Sequence, residues 1–203
     1  IASHLKHGLR NPLIALKTHL ANTNEKSFNL EEARKTVSRM EELVGDVVRT
    51  LQDQQSGIAY QITFRELLEL FNNKFQPTAN RYSVDLQFEV DVDAELDNRE
   101  ASLVLLIIEN LAQNAAEACR SKGELLVHAK MGGVIEISDN GTGLPDCVKE
   151  DLFQVGSSSK EQGSGLGLAI SKQLAMAIDA ELSLAKSDEH GTTFELRLAK
   201  RDA

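Results

Sequence analysis

Near the start of the chain stands His7-Gly8-Leu9-Arg10-Asn11-Pro12-Leu13, followed in order by Asn110-Leu111-Ala112-Gln113-Asn114, Asp139-Asn140-Gly141-Thr142-Gly143 and Gly163-Ser164-Gly165-Leu166-Gly167-Leu168. Each set can do chemistry. A neutral imidazole can attack phosphorus. Two carboxamides four residues apart project from one face of a helix, and an amide oxygen can enter an octahedral magnesium shell completed by phosphate oxygens and water. A carboxylate that follows an apolar strand and precedes two glycines sits at the mouth of a tight turn. There it can accept the exocyclic amine of an adenine, and the glycines let backbone approach the ring. A glycine-rich segment opening a helix offers free amides and the positive end of a dipole, which suit a triphosphate. Taken singly, each has a plainer reading as an exposed histidine, two solvated amides or an ordinary turn. Leu103, Leu106, Ile107 and Leu111 show that the asparagine helix packs, and the ordered recurrence of all the sets argues that they act together.

This ordered set resembles the catalytic core of a sensor histidine kinase, over essentially the whole chain. The resemblance implies that His7 accepts the phosphoryl group; His4, one turn earlier, lacks the spacing of five residues before Pro12 and reads as a surface residue. It implies ATP and Mg2+ as cofactors, with Asn114 as the metal ligand and Asn110 supporting it. Asp139, Gly141 and Gly143 would form the adenine side, and Gly163, Gly165, Leu166 and Gly167 the phosphate side. Gly191-Thr192-Thr193-Phe194 matches the closing motif, in which Thr192 supports the adenine carboxylate. Residues 144–162 would then be a lid anchored by Phe153. Lys160 is its cation best placed to meet the γ-phosphate, a solvated surface lysine being the alternative. Ser157-Ser158-Ser159-Lys160 and Asn114-Ala115-Ala116-Glu117-Ala118 resemble the subgroup of nitrogen-regulatory sensors.

The elements that must position these residues fall into two domains. Leu30, Val37, Val44 and Leu51 recur every seven residues, and Ala33, Met40 and Val47 repeat three positions later, a two-stripe heptad pattern. Leu9, Leu13, Leu16 and Leu20 form the matching seam of a preceding helix, the turn falls in residues 22–27, and Asn29 with Glu32 reads as an N-cap. One such hairpin cannot cover its own seam, so two copies are expected to form a four-helix bundle and hence a homodimer. Residues 1–52 are thus a dimerisation and histidine-phosphotransfer hairpin, residues 53–59 a linker, and residues 60–203 a catalytic ATP-binding domain. In the last, helices are expected at 65–75, 98–119 and 167–178, with strands at 83–90, 124–130, 134–138, 181–186 and 193–198. The fold class is α+β: the hairpin followed by an α/β sandwich with helices on one face of a mixed sheet. Its order resembles the ATP-binding fold shared by histidine kinases, type II topoisomerases and the ninety-kilodalton heat-shock chaperones.

Composition narrows the partners. The 203 residues, 41% hydrophobic, carry 31 acidic against 22 basic side chains, a net charge of -9. Nucleic acid is excluded as a default partner, because phosphate backbones demand clustered cations. Cys119 and Cys147 lack metal-ligand spacing and fit two reduced thiols of a cytoplasmic protein. No apolar run approaches the roughly 20 residues of a membrane span. The chain opens on Ile1 and reads as a fragment, expected to be the cytoplasmic part of a membrane-anchored sensor.

Gly8 departs from the family pattern, in which an acid usually follows the histidine, orients the ring and accepts its proton. Loss of a general base typically costs about 100- to 10,000-fold in rate, so weakened kinase activity is expected. Glu41, Glu42 or Asp46 could compensate. Pro12 crowds the carbonyl of Gly8 and should bend the helix beside the histidine. Asn11, on the face of His7, matches the residue that orients water when this family dephosphorylates its partner, a response-regulator receiver domain. The alternative to a kinase is therefore a kinase-impaired phosphatase, or a scaffold that binds regulators or heterodimerises. A topoisomerase-type ATPase would need a glutamate where this chain has Asn110.

Overall fold

The computed structural model describes residues 60–119, 122–154 and 166–199. The hairpin of residues 1–52 with His7, Gly8 and Asn11, the linker of residues 53–59, and Lys160, Gly163 and Gly165 lie outside the described residues.

The chain enters through strand β1 (Gln61–Thr63), whose last residue starts helix α1 (Phe64–Tyr82) with a reciprocal cap. The Glu66 amide donates to the Thr63 hydroxyl at 3.3 Å, and the Thr63 amide donates to the Glu66 carboxylate at 2.9 Å. Phe64, Leu67, Leu68, Phe71, Phe75 and Ala79 recur at helical spacing and are buried. Sequence reading ends this helix at residue 75, two short of Pro77; the structure carries it through the proline to Tyr82. An interior proline costs about 3 kcal/mol. Before the proline the Phe75 ring stacks on Phe71 at 5.3 Å, and beyond it Ala79 is fully buried, so the helix keeps its apolar face across Pro77. The helix stops at Ser83, whose left-handed backbone returns its amide to the Ala79 and Asn80 carbonyls.

Strand β2 (Val84–Val90) and the short β3 (Glu95–Asp97) lead into helix α2 (Asn98–Ala118), capped by the Asp97 carboxylate on the Arg99 and Glu100 amides. β3 pairs antiparallel with β1, a two-stranded sheet that sequence reading missed. Strands β4 (Gly123–Lys130) and β5 (Val134–Asp139) follow, then the single turn α3 (Asp146–Lys149), also unforeseen. Helix α4 (Leu166–Ala177) and strands β6 (Glu181–Asp188) and β7 (Gly191–Arg197) complete the order.

The main sheet runs β2-β4-β5-β7-β6. Only β2 and β4 are parallel, so the sheet is mixed, as the sequence suggested. Its buried face alternates with period two: Leu125, Val127 and Ala129 on β4, Ile135 and Ile137 on β5, Phe194 and Leu196 on β7. The row Val127, Ile137, Phe194, Leu184 crosses four strands in register. α1 packs over β2, α2 over β4 and β5, and α4 over β6, giving two layers around one core. α2, with Leu103, Val104, Ile107, Ile108 and Leu111 all buried, is the middle helix, in contact with α1 and with α4. Among the described residues no helix is long and apolar enough to cross a membrane.

Candidate functional site

Helix α2 organises the site through three successive turns. In the first, the Asn110 carboxamide is buried and donates through Nδ2 to the Ser171 hydroxyl of α4 at 2.8 Å. In the second comes Asn114, half-buried. At the C-terminus, the Ala118 carbonyl stands against Gly141, where an added Cβ would lie 3.0 Å from its oxygen. The beginning of α4 and the turn after β5 thus meet the same helix, one on each side of Asn114.

Asp139 ends β5 on the same face as Ile135 and Ile137, towards the helices rather than the open side of the sheet. Burial pushes its carboxyl above the ordinary carboxylate value, and hydrogen bonds from the Gly141 and Thr192 amides pull it partly back. The Gly141 amide lies 2.8 Å from Oδ1. A carboxylate has about four acceptor positions, so two amides leave capacity for a further donor such as an exocyclic amine. Thr192 is the strand partner of Asp139 in the β5–β7 ladder, and its support comes from the backbone. Its buried hydroxyl lies 3.3 Å from the Ser187 hydroxyl.

The glycines serve intrachain contacts. At Gly191, with φ +138, a Cβ would lie 1.8 Å from the Asp139 carbonyl oxygen, so only glycine lets β7 begin there. Gly143, at φ +68, abuts the Asp188 carbonyl at a distance that would leave a Cβ only 2.0 Å away. At Gly167, in the first turn of α4, a Cβ would meet the Asn110 Oδ1 at 2.6 Å. Leu166, the first residue of α4, stands beside it in the chain.

Side chains without a role in the sequence reading tie these pieces together. The Asn140 Oδ1 accepts the Glu124 amide at 2.8 Å, which pins the Asp139 turn to the start of β4. Ser187 accepts the Leu144 amide at 2.8 Å and its carbonyl accepts from Lys149 at 3.2 Å, docking the beginning of the expected lid on the β6–β7 hairpin. Lys186 holds the Asp188 carboxyl in that hairpin below its usual range by a hydrogen bond. Phe153, to which the sequence reading did give a role as lid anchor, packs edge-on to Phe194 at 6.4 Å, with the Lys172 ammonium 5.2 Å from its ring. The one sequence signal for Ser171 is its spacing of four from Gly167, which puts both on one face of α4. Cys119 and Cys147 are both free thiols; burial, with the nearby Asp139 charge, pushes the Cys119 thiol up.

The donor chemistry fits an adenine nucleotide with a magnesium ion. A desolvated carboxylate with spare acceptor capacity stands at one end, a half-buried carboxamide lies between, and a glycine-opened helix stands at the other. Such a fold, with such a site, defines an ATP-binding α/β sandwich. The sequence model described as Histidine kinase-, DNA gyrase B-, and HSP90-like ATPase matches residues 100–202, and the chain belongs to this family. Within it, the chain is a histidine kinase catalytic core of two-component signal transduction. It is 22% identical to sporulation kinase A of Bacillus subtilis, over 99% of this chain and 34% of that protein. To the C4-dicarboxylate transport sensor protein DctB of Rhizobium meliloti it is 27% identical, over 98% of this chain and 34% of that one. The chain therefore spans about a third of the length of these curated relatives. The catalytic domain of histidine kinase ThkA superposes with a TM-score of 0.59 at 24% identity, covering 70% of this chain and 96% of that domain. Histidine kinase AdeS of Acinetobacter baumannii gives 0.60 at 18% identity, covering 97% and 98%. At these identities the two structures show a common fold.

Proposed function

We propose that this chain is the dimeric core of an ATP-dependent protein-histidine kinase that phosphorylates His7 and passes the phosphoryl group to an aspartate of a response-regulator receiver domain. The observation that carries the reading is the convergence on α2: the adenine carboxylate turn at Ala118, the phosphate helix at Asn110, and Asn114 between them. Asp139 would receive the adenine and the start of α4 the phosphates, with Gly163, Gly165 and Lys160 assigned to the phosphate side by their motif. Asn114 would hold a magnesium ion together with phosphate oxygens, and the ion would supply neutralisation of the phosphate charge. A neutral nitrogen of the His7 ring attacks the γ-phosphorus, the bond to the β,γ-bridging oxygen breaks, ADP departs, and the imidazole gives up its proton to a base. With Gly8 beside the histidine no adjacent carboxylate takes that proton, so the kinase is slow. The reading places the chain in the cytoplasm, in a subgroup like the nitrogen-regulatory sensors, with the hairpin of residues 1–52 as its dimer interface.

Asn11, four residues after His7, favours a second reading, in which the Gly8 form mainly dephosphorylates a receiver or acts as a scaffold. Transfer of label from γ-labelled Mg-ATP, scored as acid-labile phosphate, separates the two. The kinase reading expects weak labelling of the chain, none of His7→Gln, and labelling raised about 100- to 10,000-fold by Gly8→Glu, the reverse of losing a general base. Label on Gly8→Glu alone favours the phosphatase or scaffold. Label retained by His7→Gln contradicts both.

A further inference from the structure

Three polar residues are buried among the described ones: Asn110, Ser171 and Thr192, at 6%, 1% and 5% exposure. Two of them are partners of each other, 61 residues apart in sequence and on different helices. We propose that Ser171 is a positioning residue which, through Asn110, fixes the register of the first turn of α4 against α2. It thereby sets the phosphate side of the nucleotide site relative to Asn114. The inference rests on the nucleotide reading above for its consequence, and on packing alone for its geometry.

The two helices are in contact, and Ile107 and Leu111 on α2 and Ile170 and Leu174 on α4 are buried in the same apolar core. Apolar contacts are non-directional and tolerate a slide of one helix along the other. A buried hydrogen bond does not, since a slide would strand the Asn110 amide and the Ser171 hydroxyl away from water. The Gly167 contact adds a second restraint. Gly167 and Ser171, four residues apart, stand on one face of α4. At the first, the backbone reaches the Asn110 Oδ1 so closely that a Cβ would lie 2.6 Å from it; at the second, the hydroxyl accepts from Nδ2 at 2.8 Å. Both ends of one carboxamide are therefore engaged by successive turns of α4. Because Asn110 precedes Asn114 by one helical turn, the clamp is one turn from the expected metal ligand. The adenine side is built otherwise, from Asp139 on β5 and Gly191 and Thr192 on β7. Loss of the clamp should therefore affect the phosphates and spare the base.

The test compares the chain with Ser171→Ala, titrating each with Mg-ATP and with adenosine, and following hydrogen exchange of the amides of residues 167–171 without nucleotide. We expect Mg-ATP affinity to fall about tenfold, or about 1.4 kcal/mol, adenosine affinity to stay within about twofold, and exchange at the start of α4 to speed up. Equal loss for both ligands would mean general loosening and overturn the proposal, as would undiminished Mg-ATP binding. Should the parent chain itself fail to bind Mg-ATP, the nucleotide reading fails instead, and exchange alone decides the clamp: unchanged protection of residues 167–171 in Ser171→Ala overturns it. If Ser171→Ala does not fold, Ser171→Cys, close in volume and a weaker acceptor, is measured in the same way with the same criteria.

Discussion

Asp139 faces two opposing demands. Its place under the helices disfavours the charged form, while the role assigned to it needs an acceptor for an amine. The consequence is a pH response in two directions. With a folded pKa above the unfolded one, the native state binds the extra proton. The contribution of Asp139 to stability is therefore full below its unfolded value near 3.8 and declines as pH rises through the elevated folded value. Adenine recognition runs the other way and is lost as the carboxylate protonates. Between the ordinary carboxylate range and neutrality, Mg-ATP affinity should fall with falling pH in the parent, while Asp139→Asn shows weak binding with no such slope. Calorimetric titration across that range checks it. At this scale the sequence singled out described residues that the fold brings into contact, Asn110 with Gly167 and Asp139 with Gly141 and Thr192, but not the contacts they make. Gly141 and Gly143 were expected to admit ligand, yet both also press against chain atoms, Ala118 and Asp188. Thr192 supports Asp139 through its amide, while its hydroxyl faces Ser187. Such contacts between residues tens of positions apart leave no local signal.

The elements succeed or fail as hosts for these residues through their ends. β7 can start beside Asp139 only because Gly191 has no Cβ, so Gly191→Ala should strain the backbone and displace the β5–β7 ladder at the carboxylate. A loss of about 2–4 kcal/mol in unfolding free energy is expected, with loss of nucleotide binding, from denaturant titration and calorimetry. α1 depends on its N-cap residue in a milder way. Thr63→Ala removes one half of the reciprocal cap and should cost about 1 kcal/mol while leaving Mg-ATP affinity unchanged, since the cap lies outside the nucleotide site. Long periodic elements were legible: α2 and strands β2, β4, β5, β6 and β7 lie within a few residues of where the pattern puts them. α1 runs past the residue 75 at which the pattern ends it, through Pro77 to Tyr82, and the residue it buries beyond the proline is the small Ala79, a weak apolar signal. β1 and β3, of three residues each, are too short to show a period, and only their pairing makes them strands.

At the scale of the molecule, the two-domain organisation read from the heptads predicts a division of labour. Residues 60–203 alone should fold, bind Mg-ATP as a monomer and remain unlabelled by γ-phosphate, while the whole chain sediments as a dimer. Sedimentation of both chains checks the division, and a monomeric whole chain would remove the four-helix bundle from the account. The architecture of the second domain was open to sequence reasoning because alternating apolar strands and one packed asparagine helix admit few two-layer arrangements. The clamp between α2 and α4 was not, because nothing local in the sequence pairs Asn110 with Ser171, 61 positions away.

The central claim is that α2, the Asp139 turn and the start of α4 make one Mg-ATP site. Its most direct test is isothermal titration of Mg-ATP into the chain and into Asp139→Asn and Asn114→Ala. One nucleotide per chain should bind the parent. Affinity should fall at least about tenfold in Asp139→Asn whatever the metal, and in Asn114→Ala only when magnesium is present. A folded parent that binds no nucleotide, or an Asp139→Asn chain that binds it as tightly as the parent, would contradict the site.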